Sequence, residues 1–342
     1  MLKTLRIAAL LTSLTPALAF AQSFEAGLAA AQSGDFATAI QEWQPLAEAG
    51  DARAQSNLGQ IYMKGLGVAA DPAQAAQYFL QAANQGNAVG QRYLGQLYQR
   101  GQGVEQNFET AAKLFFAASK QGDAISQFNL GRQLARGQGL TQDPEKAAEY
   151  YLAAANQGYA PAQFFLGKAY ARGNGVAPNL GEATRLITLS AEQGYVFAQD
   201  MLGVMYHNGE GVAQDDSQAA IWFRRAAEQG DADSQFSLGS LYRRGDGVAQ
   251  SDAEAARWFK LAALQGNSKA QVNLGLQYAN GTGVLQNMVT AHMWLNIAKA
   301  NQNRNAEANL RAVEANLTSA QIEAAVGLAQ ACYGSNYTDC PD

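Results

Sequence analysis

The sequence predicts an all-α fold, a solenoid of stacked helix pairs, and three observations predict it. The pair Leu-Gly recurs at Leu58-Gly59, Leu94-Gly95, Leu130-Gly131, Leu166-Gly167, Leu202-Gly203, Leu238-Gly239 and Leu274-Gly275, always 36 residues apart. A lone glycine keeps the same spacing, from Gly50 and Gly86 to Gly266. So does a Gly-x-Gly doublet, from Gly65-x-Gly67 to Gly281-x-Gly283. Self-similarity at a fixed period of this length is the mark of a repeat array, in which each unit buries its apolar face only by stacking on its neighbours.

The chain opens with the features of an export signal, expected over residues 1–21. Lys3 and Arg6 form a basic start, Ile7 to Leu14 begin a short apolar run, and Pro16 breaks it ahead of Ala19-x-Ala21. That small-x-small site predicts cleavage after Ala21, with a cut after Ala19 reading almost as well. The run is too short to anchor the chain in a bilayer. The mature protein is therefore expected in the periplasm or outside the cell. Residues 22–50 look like a shortened pair that caps the array, with Ala39, Trp43 and Gly50 in register with Ala75, Phe79 and Gly86.

The seven repeats are expected over residues 51–302. Units begin at Asp51, Asn87, Asp123, Tyr159, Tyr195, Asp231 and Asn267, five of which are good helix N-caps. The first helix presents Gln55, Leu58, Gly59 and Tyr62 on one face, the i, i+3, i+4, i+7 spacing of an amphipathic helix. A glycine inside a helix costs about 1 kcal/mol relative to alanine, so its repetition predicts close approach of a neighbouring helix. The Gly-x-Gly doublet ends that helix. Asp71-Pro72 and Asp143-Pro144 are good starts for the second, which carries Ala75, Ala76, Phe79, Ala82 and Ala83 on one face and stops at Gln85-Gly86. Residues 303–342 are expected to cap the far end with two amphipathic helices, one bearing Leu310, Val313 and Leu317 and the other starting at Thr318. Cys332 and Cys340, the only cysteines, are expected to clip this cap as a disulfide, since exported chains favour such bridges.

The repeated pattern (Ala/Ser)-Gln-x-x-Leu-Gly-x-x-Tyr-x-x-Gly-x-Gly-Val resembles the Sel-one-like repeat family, a relative of the tetratricopeptide repeat. The resemblance implies a right-handed α/α superhelix used as an adaptor in protein assemblies, often at or outside a bacterial membrane. The family's roles include envelope signalling, assembly of export machinery and host-cell interaction. One branch, the cysteine-rich Helicobacter proteins, implies an alternative as a cell-wall-directed or β-lactam-binding and hydrolysing enzyme. That branch carries a disulfide in each repeat, and residues 51–302 contain no cysteine.

Little in the chain points to catalysis. The sequence lacks Ser-x-x-Lys, Gly-x-Ser-x-Gly, a phosphate-binding Gly-Lys-Ser/Thr and His-Glu-x-x-His. The Gly-x-Gly doublets follow helices rather than strands, so they read as helix terminators. With two histidines and a net charge of −5, neither a metal site, a cofactor nor a nucleic-acid partner is expected. His207 stands at a tolerant position and reads as a surface residue. His292 replaces an alanine of the second helix and reads as packing.

A protein or peptide partner is expected instead, on the side of the first helices opposite Leu58 and Tyr62, which lines the concave groove by analogy with tetratricopeptide arrays. This side varies between units. Cations gather at the first-helix ends, at Lys64, Arg100, Arg136, Arg172 and Arg244, where they also complement the helix dipole. The candidate partner-binding residues are Arg100, Asn129, Arg132, Arg136, Lys168 and Arg172, with an apolar run of Phe165, Phe197, Met201 and Val204. Clustered large apolar groups on a surface mark interaction sites.

Overall fold

A computed structural model describes residues 16–341, with side chains from residue 24 onward. The expected export segment, residues 1–21, lies outside the residues described at side-chain level. Among the described residues every regular element is an α-helix. They divide into two compact units, one ending at Tyr159 and the other beginning at Ala160. The first contains α1 (Pro16–Gln32), α2 (Phe36–Glu48), α3 (Ala52–Lys64), α4 (Pro72–Asn84), α5 (Ala88–Arg100), α6 (Phe108–Ser119), α7 (Ala124–Arg136) and α8 (Pro144–Asn156). The second contains α9 (Ala160–Arg172), α10 (Leu180–Glu192), α11 (Val196–Asn208), α12 (Asp216–Glu228), α13 (Ala232–Arg244), α14 (Asp252–Ala263), α15 (Ser268–Asn280), α16 (Met288–Ala300), α17 (Ala306–Glu314) and α18 (Ser319–Gly334). Within each unit successive helices pack on one another, the solenoid arrangement.

Helix ends follow local chemistry. Asp51 accepts from the backbone N–H groups of Arg53 and Ala54, and Asn87, Asp123, Asp231 and Asn267 cap their helices the same way. Tyr195 makes no such bond, having no short side-chain acceptor. At the other end Gly65, with φ +67°, turns left-handed and its N–H returns to the Ile61 carbonyl. A side chain there is disfavoured by contact with the following carbonyl oxygen.

The repeated leucines form the core, none of the seven more than 3% exposed. The helical glycine answers to close approach by the second helix of its pair, chiefly through a large side chain and in several units also through a backbone carbonyl, that of Ala147 at Gly131 and of Ala291 at Gly275. A Cβ on Gly59 would lie 2.6 Å from the Phe79 ring, and one on Gly203 would lie 2.7 Å from Phe223. The same contact recurs with Phe115, Tyr151, Ile187, Phe259 and Leu295. Each glycine is thus the hole that receives the large residue of the second helix. The second glycine of the doublet has another task. A Cβ on Gly103 would sit 2.3 Å from the Pro72 carbonyl carbon, at the start of the preceding pair's second helix.

The repeated glutamine is more than a face marker. Gln235 donates through Nε2 to the Ala227 carbonyl at 3.1 Å, at the end of the preceding helix. Its Oε1 accepts from Gln265 Nε2 at 2.9 Å. The same acceptor role recurs from Gln55–Gln85 to Gln271–Asn301. A buried amide thereby ties three successive helix segments together. Gln235→Ala should cost about 1–3 kcal/mol, because a buried carbonyl loses its donor and an amide its acceptor. Chemical denaturation checks this, and a cost near zero would remove the glutamine from the stabilising contacts.

Beyond the last repeat, α17 and α18 both pack on α16. Cys332 and Cys340 form a disulfide with Cα atoms 4.5 Å apart. The loop it closes carries Tyr337, whose hydroxyl accepts from Asn301 Nδ2 at 2.8 Å. His292 is 1% exposed on α16, with Nε2 3.2 Å from Glu314 Oε1 of α17.

Candidate partner-binding face

The candidate residues fall in both units, and each set has its own surroundings. In the first unit Arg100 and Arg136 end α5 and α7 and are exposed. Arg132 is half-buried, with its guanidinium carbon 5.6 Å from the Phe128 ring centroid. Burial pushes the Tyr151 hydroxyl up to about 12, against the opposing pull of the Arg132 and Arg136 charges. Asn129 departs from the expectation. It is 7% exposed and its amide donates to the Ile125 carbonyl at 2.9 Å, so it turns along its own helix rather than outward.

In the second unit the apolar run splits. Phe197 is 55% and Val204 37% exposed, both on α11. Phe165 and Met201 are half-buried against the core cluster of Phe164, Leu202 and Met205. Register explains the difference: Phe165 and Met201 hold equivalent positions 36 residues apart, on the side of their helices nearer the core leucines than Phe197 and Val204 are. Phe197 is held edge-on by Tyr195, ring centroids 5.5 Å apart, so its ring is positioned as well as exposed. Lys168 Nζ lies 5.3 Å from the Phe164 ring centroid. Burial, and then the neighbouring Arg172 charge, draw the Lys168 ammonium below the ordinary lysine range.

The second unit also holds a polar group that the sequence reading missed. His207 Nδ1 lies 2.5 Å from Asp216 Oδ1, so the histidine is an oriented ring and not a free surface side chain. Asp216 is nine residues on, across the helix-ending glycines, and it stands where Pro72 and Pro144 stand in other units. That exchange was the available signal. Among the described residues no group of three or more His, Cys, Asp and Glu side chains is placed to hold a metal ion. No helix among them is long and apolar enough to cross a membrane.

Comparison with known proteins follows the repeat. The Sel1 repeat family model matches seven consecutive segments, residues 52–87, 88–123, 124–159, 160–195, 196–231, 232–267 and 268–303. Comparison with curated proteins gave no match. Among solved structures the chain is similar to a protective antigen present in uropathogenic Escherichia coli strains, which displays an SLR fold. Identity is 35% and the TM-score 0.83, over 93% of this chain and 69% of that one. It is also similar to a Sel1 repeat protein from Oxalobacter formigenes, with 31% identity and a TM-score of 0.67, over 92% of this chain and 98% of that one.

Proposed function

Starting from the fact that the chain belongs to the Sel1 repeat family, a scaffold type that mediates protein–protein contacts, we propose that it is an exported adaptor holding an extended peptide segment of a partner against its first helices. The observation that carries the reading is Phe197, a large ring left exposed yet braced by Tyr195, with exposed Val204 two turns along the same helix. A braced aromatic anchor loses little conformational entropy on binding, and such anchors dominate interface energetics. Lys168 and Arg172 in the same unit, and Arg100, Arg132 and Arg136 in the other, favour acidic segments. The disulfide supports an oxidising compartment, the periplasm or the cell exterior.

Peptides selected by display on the immobilised protein should carry a large apolar residue near carboxylates. Phe197→Ala should speed their dissociation, losing at least about 1–2 kcal/mol of affinity, with the melting temperature unchanged. Arg172→Ala, in the same unit as Phe197, should instead slow association and flatten its salt dependence. If Phe197→Ala leaves every selected peptide bound as before, or unfolds the protein, the ring is not the anchor and the reading fails.

A further inference from the structure

We propose that a cavity between α11, α12 and α13 binds a singly charged carboxylate carried beside an apolar side chain. The proposal deepens the peptide-binding reading and rests on it for the source of the carboxylate, though not for the carboxylate chemistry. The cavity has a volume of about 240 Å³, room for one residue-sized group. Its lining combines the apolar Val204, Phe223, Phe236 and Leu241 with the polar His207, Ser237, Ser240, Arg243 and Arg244. A mostly apolar cleft with a few convergent polar groups is the ordinary form of a ligand site.

The repeat register separates these polar residues from ordinary surface charge. Arg244 continues the last-turn cations found in most units, and the helix dipole accounts for it. His207 and Arg243 do not continue a pattern. Their position reads Met63, Gln99, Ala135, Ala171, His207, Arg243 and Ala279, so two adjacent repeats alone place an ionisable group there, and both line the same cavity.

The charges select the ligand. Arg244 is ion-paired with Asp246, and His207 faces Asp216. Arg243 donates through Nη1 to the neutral Asn273 Oδ1 at 3.0 Å and forms no ion pair with a carboxylate among the described residues. One unneutralised guanidinium suits one negative charge, and its planar fork matches a carboxylate. A doubly charged phosphate would bring two negative charges to a cavity whose other cation, Arg244, is already ion-paired. Ser240 spends its hydroxyl proton on the Phe236 carbonyl at 2.9 Å, whereas the Ser237 hydroxyl has no hydrogen-bond partner among the described residues. His207 Nδ1 faces Asp216 while Nε2 has no partner among the described residues, and as a lining residue its ring reports on whatever enters.

The chain has only two histidines, which makes the test direct. The full chain, labelled with carbon-13 at histidine Cε1 and assigned with His207→Gln, is titrated with N-acetylphenylalanine, its amide, N-acetylglutamyl-phenylalanine amide and inorganic phosphate. The His207 signal should move saturably with N-acetylphenylalanine, while buried His292 stays fixed. The amide should bind at least tenfold more weakly, and Arg243→Gln should cost at least tenfold while keeping the melting temperature. A stronger response to N-acetylphenylalanine assigns the site to a peptide C-terminus. A stronger response to the glutamyl amide assigns it to an acidic side chain, and either supports the proposal. Equal response to acid and amide, a stronger response to phosphate, no response at all, or indifference to Arg243→Gln overturns it. Phe197 lies ten residues up α11, roughly 15 Å away at 1.5 Å per residue, beyond reach of these small probes. Loss of the His207 response with peptides still sensitive to Phe197→Ala therefore overturns the carboxylate site alone. A retained response with peptides indifferent to Phe197→Ala overturns the anchor and spares the site.

Discussion

Gly247→Ala is expected to destabilise the second unit by about 2–5 kcal/mol, far more than a methyl group costs elsewhere on the surface. Two effects add. Gly247 has φ +67°, where an L-residue pays roughly 1–2 kcal/mol against the following carbonyl. The new Cβ would also lie 2.2 Å from the Asp216 carbonyl carbon and 2.4 Å from the Ser217 nitrogen. Those are backbone atoms at the start of α12, so no rotamer change relieves the clash and the helix start must shift, at roughly 1–3 kcal/mol. Gly230→Ala is the control, with φ +95° and no atom within 4 Å of the added carbon. It should show the conformational cost alone, about 1–2 kcal/mol. Repeat arrays open locally, so the measurement is hydrogen exchange of α12 and α13 amides rather than a single global transition. Equal costs at the two glycines would mean that the close approach of successive pairs contributes nothing.

Phe259→Ala should cost about 3–5 kcal/mol, the range for removing a fully buried ring. Its pairing with Gly239 gives a sharper expectation. In the native chain Gly239→Ala places a methyl 2.9 Å from that ring and should be destabilising by roughly 1–3 kcal/mol. With the ring gone, the added carbon keeps a mild contact with the Ala255 carbonyl oxygen at 3.3 Å but loses the ring clash and gains helix propensity, so the substitution should become stabilising by up to about 0.5–1 kcal/mol. The double-mutant cycle then shows a coupling of at least about 1.5 kcal/mol with a change of sign. Additive effects would show that the helical glycine is retained for some reason other than receiving the ring.

Two other contrasts follow the same division between local and through-space information. Asn129 and Phe197 look alike as positions on the varying side of a first helix, yet one bonds to its own helix and the other stands in solvent. The glutamine at Gln55 and its equivalents was visible as a repeated residue. Its role was not, because the amide's partners lie eight residues back and thirty residues ahead. Likewise His207 was legible as an isolated histidine, and the partner that orients it comes from the start of the next helix.

By itself the sequence determined the period, the helix boundaries, the core leucines and the cysteine pairing. Each rests on short-range rules: i, i+3, i+4, i+7 spacing, caps within three residues, glycine where φ is positive, and two cysteines eight positions apart. Tertiary structure alone decided which flank residues are open, which large side chain fills each glycine hole, and how His207, Ser237 and Arg243 come to share one cavity. Those outcomes depend on how one helix pair seats on the next, a matter of ridges, grooves and side-chain volumes contributed by residues twenty to thirty-six positions apart. A repeat that dictates its own backbone leaves its exposed chemistry to be settled by the contact between repeats.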